Sequence, residues 1–240
     1  MPASRTPLLT AAWRELAMLN FEVEPGLLAQ RVPAGTELDA WQGSTLLSVV
    51  GFLFEDTRLL GVPIPWHRNF EEVNLRFYVR RRAEDGLRRG VVFIKEIVPR
   101  AAIASVARAL YNEPYVALPM CHATLEQGAV RRVRYSWNFR GRENSMRVEV
   151  AGEATAIQDG SAEEFIAEHY WGYTRQRDGS TLEYQVEHPR WRIWRAREAQ
   201  LDCDVRELYG AEFESALANP PRSAFLADGS AVRVYRGVRL

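Results

Sequence analysis

Residues 130–151 carry the pattern that most restricts how this chain can fold. In residues 132–139 the apolar set Val133, Tyr135, Trp137 and Phe139 alternates with Arg132, Arg134, Ser136 and Asn138. A period of two puts one side of a strand on a core and the other in water. After a polar stretch with Gly141 and Asn144, the residues Met146, Val148 and Val150 alternate in the same way, which predicts an antiparallel hairpin. Residues 45–54 are apolar at nearly every position, the mark of a strand covered on both faces. Asp228-Gly229 ahead of AVRVYRGV predicts a tight turn into a last strand.

Helical signals are fewer. AAIASVARALY places Ile103, Val106, Ala107 and Leu110 on one stripe, between Pro99 and Pro114. Ser161, with Glu164 three residues on, forms a capping box that predicts a helix through SAEEFIAEHYWGY, carrying Tyr170, Trp171 and Tyr173. A short helix is expected from Pro25 in PGLLAQRV. Strands with a few interspersed helices predict one α+β domain over residues 1–240, built on a mostly antiparallel, barrel-like sheet, with residues 1–12 as an irregular tail.

Composition narrows the partners. The 31 acidic and 31 basic residues cancel, so no global field favours nucleic acid or an anionic membrane. The longest apolar run, residues 46–54, is about half the ~20 residues of a membrane helix. Without a sustained apolar segment the N-terminus does not read as a signal peptide. Cys121 and Cys203 have no metal or redox spacing and are expected to be free thiols. A soluble, cytoplasmic protein is the expectation.

The common catalytic signatures GxGxxG, GxxxxGK, HExxH and GxSxG are absent. His67, His122, His169 and His188 show no ligand spacing, so no metal is expected. FEEVNLRFYVR is more informative. On a strand, Glu72, Asn74, Arg76 and Tyr78 share one face, opposite Val73, Leu75, Phe77 and Val79. Such a row either binds a polar group or forms incidental surface pairs. Lys95, the one lysine of the chain, lies in VVFIKEIVPR. Regular alternation puts it with Phe93 and Ile97, and Glu96 with Ile94 and Val98; which charge faces a pocket stays open. A desolvated lysine can form a Schiff base, whereas a long stem can equally lie on apolar surface with its amine in water.

The motifs FEEVNLRFYV, VVFIKEIVPRAAI, ARALYNEPY, LPMCH and VEHPRW, in that order, resemble the YqjF-like family of uncharacterised proteins, a relative of acetoacetate decarboxylase. The resemblance implies an acetoacetate decarboxylase-like fold with an enclosed pocket. It also implies an active-site arginine at Arg14 and an active-site carboxylate at Glu72, from the Phe-x-Glu of residues 70–72. The decarboxylase's Pro-Lys-Lys segment corresponds to Leu118-Pro119-Met120-Cys121, which places Met120 where the imine-forming amine belongs.

The resemblance therefore implies a small-molecule pocket without the family lysine. Glu72 is the expected acid–base residue, with Arg14, Asn74, Arg76, Glu113, Tyr115, Met120 and His122 as ligand-binding residues. Lys95 is the fallback nucleophile. Arginines at the pocket favour a carboxylate, so a carbonyl- or carboxylate-bearing metabolite is the expected ligand, with no cofactor required. The alternative is a carrier or sensor in which the same charges form a structural network. His188, before Pro189, is expected to make a structural hydrogen bond.

Overall fold

Strand pairing follows chain order through the first half of the protein. The computed structural model describes residues 6–240, apart from the side chains of residues 106–110. Strands Leu9–Val23, Ser44–Leu59, Phe70–Ala83 and Gly86–Val98 lie side by side and antiparallel. Trp171–Arg175 then joins Gly86–Val98 in parallel, and Thr181–Glu187 pairs with it antiparallel. Ser223–Val234 pairs along Leu9–Val23 and touches Thr181–Glu187 at Val186 and Glu187, so these strands run round as a ring. The short strand Tyr115–Ala117 is parallel to Gly86–Val98. A parallel neighbour needs a crossover, and helix α1, Ala101–Tyr111, supplies it.

A second sheet of four strands, Met120–Gln127, Val130–Phe139, Arg142–Ala151 and Glu198–Asp202, contains the predicted hairpin, with Val133 opposite Val148 and Tyr135 opposite Met146. Its inward residues Val133, Tyr135, Trp137, Met146 and Val148 pack on Val73, Leu75, Phe77 and Val79 of the main sheet. The other face of that sheet carries a separate core. There Phe70 and Tyr78 meet Phe165, Ile166, Trp191 and Ile193. Each such side chain contributes about 1.5–3 kcal/mol by leaving water. Alternation along Phe70–Ala83 thus sorts its side chains between two different interiors.

Four local expectations are corrected by the structure. The first strand begins at Leu9, paired with Val234, so residues 9–12 are not a tail. Asp228-Gly229 does not turn the chain; both lie within the strand Ser223–Val234. Gly229 adopts φ +80° opposite Arg14, where the irregularity of the first strand begins, and a Cβ there would stand 2.0 Å from the Trp13 carbonyl oxygen. The segment from Pro25 forms two 3-10 turns, Pro25–Leu27 and Ala29–Arg31.

Helix α2 spans only Ala162–Ala167, with Ser161 Oγ accepting from Glu164 N at 3.1 Å. Trp171 and Tyr173 lie on the strand that follows it. Glycine and the aromatic, β-branched run Tyr170 to Thr174 favour extended chain over helix, whatever the cap upstream. Of the α1 stripe, Ile103 reaches the cavity described below, whereas the side chains of Val106, Ala107 and Leu110 lie outside the described residues.

Candidate functional site

Three neighbouring strands set the polar end of an internal cavity. Register pairs Asn74 with Glu96 and Glu96 with Tyr115 across Phe70–Ala83, Gly86–Val98 and Tyr115–Ala117. Glu72 stands two residues before Asn74 on the same face. Its Oε1 accepts from Asn74 Nδ2 at 3.0 Å and its Oε2 from Tyr115 Oη at 3.2 Å. Glu113 accepts from Tyr184 Oη, and from Thr174 Oγ1 at 3.3 Å. Tyr184 reaches this position because Gly172, its register partner, has no side chain: a Cβ there would meet the tyrosine ring at 2.1 Å.

The cavity has a volume of about 310 Å³. Apolar and aromatic side chains make most of its wall, including Phe70, Phe93, Trp13, Trp171, Trp191 and Ile103. Phe54 stacks on Phe70 with centroids 4.6 Å apart, and His188 stacks on Trp191 at 4.1 Å. Against this apolar lining the carboxyls of Glu72, Glu96 and Glu113 are 2%, 1% and 6% exposed.

Such burial disfavours charge. It pushes Glu72 up to about 7, helped by repulsion from Glu113 and opposed by Asn74, Tyr115 and Arg76. Burial likewise raises Glu113 to about 7 against the hydrogen bonds from Tyr184 and Thr174. Glu96 is raised further by burial and by both neighbouring carboxyls, and its Oε2 has no hydrogen-bond partner. Burial also holds Tyr115 and Tyr184 well above the ordinary phenol range. This end of the cavity is therefore a reservoir of protons near neutral pH. A protonated carboxyl can donate to a carbonyl oxygen, and the same group ionised can accept a proton.

A β-bulge decides which charge enters. Leu75 pairs with Lys95 but Arg76 with Phe93, leaving Ile94 as an extra residue. Phe93 and Glu96 both face the cavity, while Ile94 joins the core beneath the second sheet. Lys95 points the same way as Ile94 and its Nζ donates to the carbonyl of Leu208. Partial burial, then Arg31, lowers its pKa. Simple alternation had grouped Phe93 with Lys95; the bulge separates them.

The sequence-predicted residues divide between the cavity and elsewhere. Glu72, Arg76, Glu113 and Tyr115 line it, and Asn74 abuts it through Glu72. Arg14 does not: neighbours on a strand point to opposite faces, so Trp13 enters the cavity and Arg14 lies in an outer groove, 3.8 Å from Glu55. Met120 packs against the core between the sheets. His122 lies on the outer side of that region, with Nδ1 3.2 Å from Glu71 Oε1. The Pro-x pair that reaches the cavity is Pro114-Tyr115, not Pro119-Met120. Cys121 and Cys203 are free. His188 Nδ1 contacts Pro189 O at 3.0 Å, as expected of a structural role, although its ring also lines the cavity. His169, Tyr184 and Tyr111 also stand at this wall, with no local pattern that marks them. They come from a helix end, a distant strand and a helix whose side chains meet only in the folded chain.

A family model described as an uncharacterized conserved protein, DUF2071, matches residues 10–231. The chain belongs to this family. A curated relative, the uncharacterized protein YqjF of Bacillus subtilis (strain 168), is 25% identical over 206 residues, covering 85% of this chain and 81% of its own. Among solved structures, acetoacetate decarboxylase from Legionella pneumophila superposes with a TM-score of 0.69 at 12% identity, covering 100% of this chain and 92% of that one. The enduracididine biosynthesis enzyme MppR complexed with pyruvate gives 0.69 at 14% identity, covering 99% and 92%. An acetoacetate decarboxylase-like enzyme from Sphingomonas wittichii RW1 gives 0.64 at 14%, covering 98% and 93%. The DUF2071 chain thus has the acetoacetate decarboxylase-like fold: mostly antiparallel strands with few helices. No helix among the described residues is long and apolar enough to cross a membrane.

Proposed function

We propose that this DUF2071 protein binds a small, apolar-bodied carbonyl compound in the cavity and moves a proton on and off it with Glu72. The observation that carries this reading is a carboxyl raised to about 7 on the wall of a mostly apolar chamber. A group titrating at the working pH is best placed to serve as both acid and base. In the proposed reaction, protonated Glu113 or Glu96 donates to the carbonyl oxygen while ionised Glu72 takes a proton from the adjacent carbon. Product is an enol, which returns to the ketone by the reverse transfer. Tyr115 and Asn74 fix the orientation of Glu72.

An imine is not part of this scheme. Lys95 is the sole lysine of the chain and lies on the far face of its strand, and Tyr115 follows the proline at the cavity wall. The structural neighbour MppR, solved with pyruvate and with a condensation product of pyruvate, supports a carbonyl compound as ligand for this fold.

Exchange of the hydrogens next to the ketone of 4-oxo-4-phenylbutanoate in D2O, followed by proton NMR, tests the proposal. Wild type should accelerate exchange, and Glu72→Gln should reduce the acceleration on the order of 100-fold or more while leaving affinity within a few fold. A second reading has one observation in its favour: both Glu72 oxygens already have protein partners, as in a structural network. In that case the protein carries its ligand, and no exchange above background occurs in wild type.

A further inference from the structure

Two polar groups of the same cavity make no hydrogen bond at the Glu72 end. Arg76 lies four residues further along the strand, so its Cα is about 13 Å from that of Glu72. Its Nη2 donates to the Ile166 carbonyl at 3.3 Å and lies 4.0 Å from Met18 Sδ, its guanidinium carbon sits 5.8 Å from the Tyr78 ring centroid, its Nε is buried without a hydrogen-bond partner, and it makes no ion pair among the described residues. A guanidinium carries five N–H donors, so most of its capacity is unspent.

Next to it stands His169, only 7% exposed, with both ring nitrogens unpartnered. The ring is held between Tyr78, at 4.7 Å between centroids, and Phe165, at 5.2 Å. The carbonyls of Ile166 and Phe165 lie near the ring and favour its protonated form, but neither ring nitrogen has a hydrogen bond of normal geometry. Its Nε2 is 3.9 Å from Oδ2 of Asp39, a fully buried carboxylate that Arg89 contacts at 3.0 Å and Arg80 at 3.9 Å. Buried polar atoms are almost always satisfied. A cation with no carboxylate in contact, beside an unsatisfied imidazole, on the wall of one cavity, marks a place where a ligand completes the set.

We propose that Arg76 and His169 form an anion subsite that receives a carboxylate of the ligand, His169 binding it as the imidazolium with Nε2–H toward Asp39, a positioning residue, and Nδ1–H toward the ligand. The subsite rests on the reading that a carbonyl compound occupies the cavity, and it narrows the ligand class. The carboxylate lies at the Arg76 end and the carbonyl at the Glu72 end, so an apolar spacer separates them. A 4-keto or longer keto acid with an apolar body fits this arrangement; a 2-keto acid, whose two groups adjoin, does not span it.

Calorimetric titration with 4-oxo-4-phenylbutanoate and its uncharged primary amide tests the subsite. Wild type should bind the acid at least tenfold more tightly than the amide. Arg76→Gln and His169→Leu should each remove most of that preference while amide affinity stays within about twofold, which also reports that the cavity is intact. His169→Gln, which keeps a donor, should recover part of it. Asp39→Asn should weaken acid binding in the wild-type background and have no further effect with His169→Leu. Equal binding of acid and amide by wild type, or an acid preference that survives Arg76→Gln, overturns the subsite and leaves the cavity reading standing. If neither compound binds, both fall.

Discussion

Tyr115 Oη donates to Glu72 Oε2 at 3.2 Å across strands that join only through the intervening Gly86–Val98. This bond favours the ionised carboxylate, which is the form burial disfavours. The Tyr115→Phe protein should therefore show Glu72 titrating above its native value of about 7. Carboxyl-carbon NMR on 13C-labelled glutamate measures the shift; a midpoint that stays put or falls would contradict the assigned hydrogen bond.

Stability should also depend on pH through Glu72. Its folded pKa lies above the unfolded value, so the native state binds the extra proton between about 4.5 and 7. Stability from this group is present in full below that window and is lost as pH rises through it, by about 3 kcal/mol for a shift of this size. His169 and His188, both lowered chiefly by burial, work in the opposite sense below 6.5. They remain in Glu72→Gln, so the difference between wild type and variant reports Glu72 together with its repulsion of Glu96 and Glu113, whose carboxyls burial also raises. In urea melts the variant should gain relative to wild type between pH 5 and 8, and a flat difference would refute the titration.

Lys95 should stay unmodified by borohydride trapping with a keto acid, since its amine donates to Leu208 O on the side away from the cavity. Peptide mapping distinguishes it from the N-terminal amine. A reduced adduct on Lys95 under native conditions would show that the strand presents its other face to ligand.

Gly229→Ala should destabilise the protein by about 1–3 kcal/mol, the usual cost of forcing a side chain into the left-handed region. The residue holds φ +80° and its added carbon would collide with the Trp13 carbonyl. Because Trp13 belongs to the cavity wall, the variant should weaken ligand binding as well as lower the melting temperature. Unchanged denaturation would argue against the close approach of these strands.

Much of this architecture was readable in the chain. The hairpin of residues 130–151 and the two-sided row from Glu72 to Val79 follow from alternation, since one face of each had to be dry. A strong cap at Ser161 marks where a helix starts and says nothing about where it stops, so the expected helix over Tyr170 to Tyr173 gives way to a strand from Trp171. Arg14 and Met120 were assigned by likeness to a distant pattern, and a shift of one residue on a strand moves a side chain to the opposite face. Tyr115 and Glu113 lay within the quoted YNEPY segment, whereas His169 and Tyr184 meet the cavity through long-range contacts that local sequence does not encode.

The extra residue at Ile94 has a chemical consequence of its own. With strict alternation continuing from Phe93, the neighbouring amine would look into the chamber and the acid would be turned into the packed interior. The same ten letters thus hold two opposite polarities in reserve, and a single irregular backbone step selects between them. In such a scaffold, relocating that step would exchange a buried acid for an amine at one point of the chamber wall while every side chain in the strand stays the same.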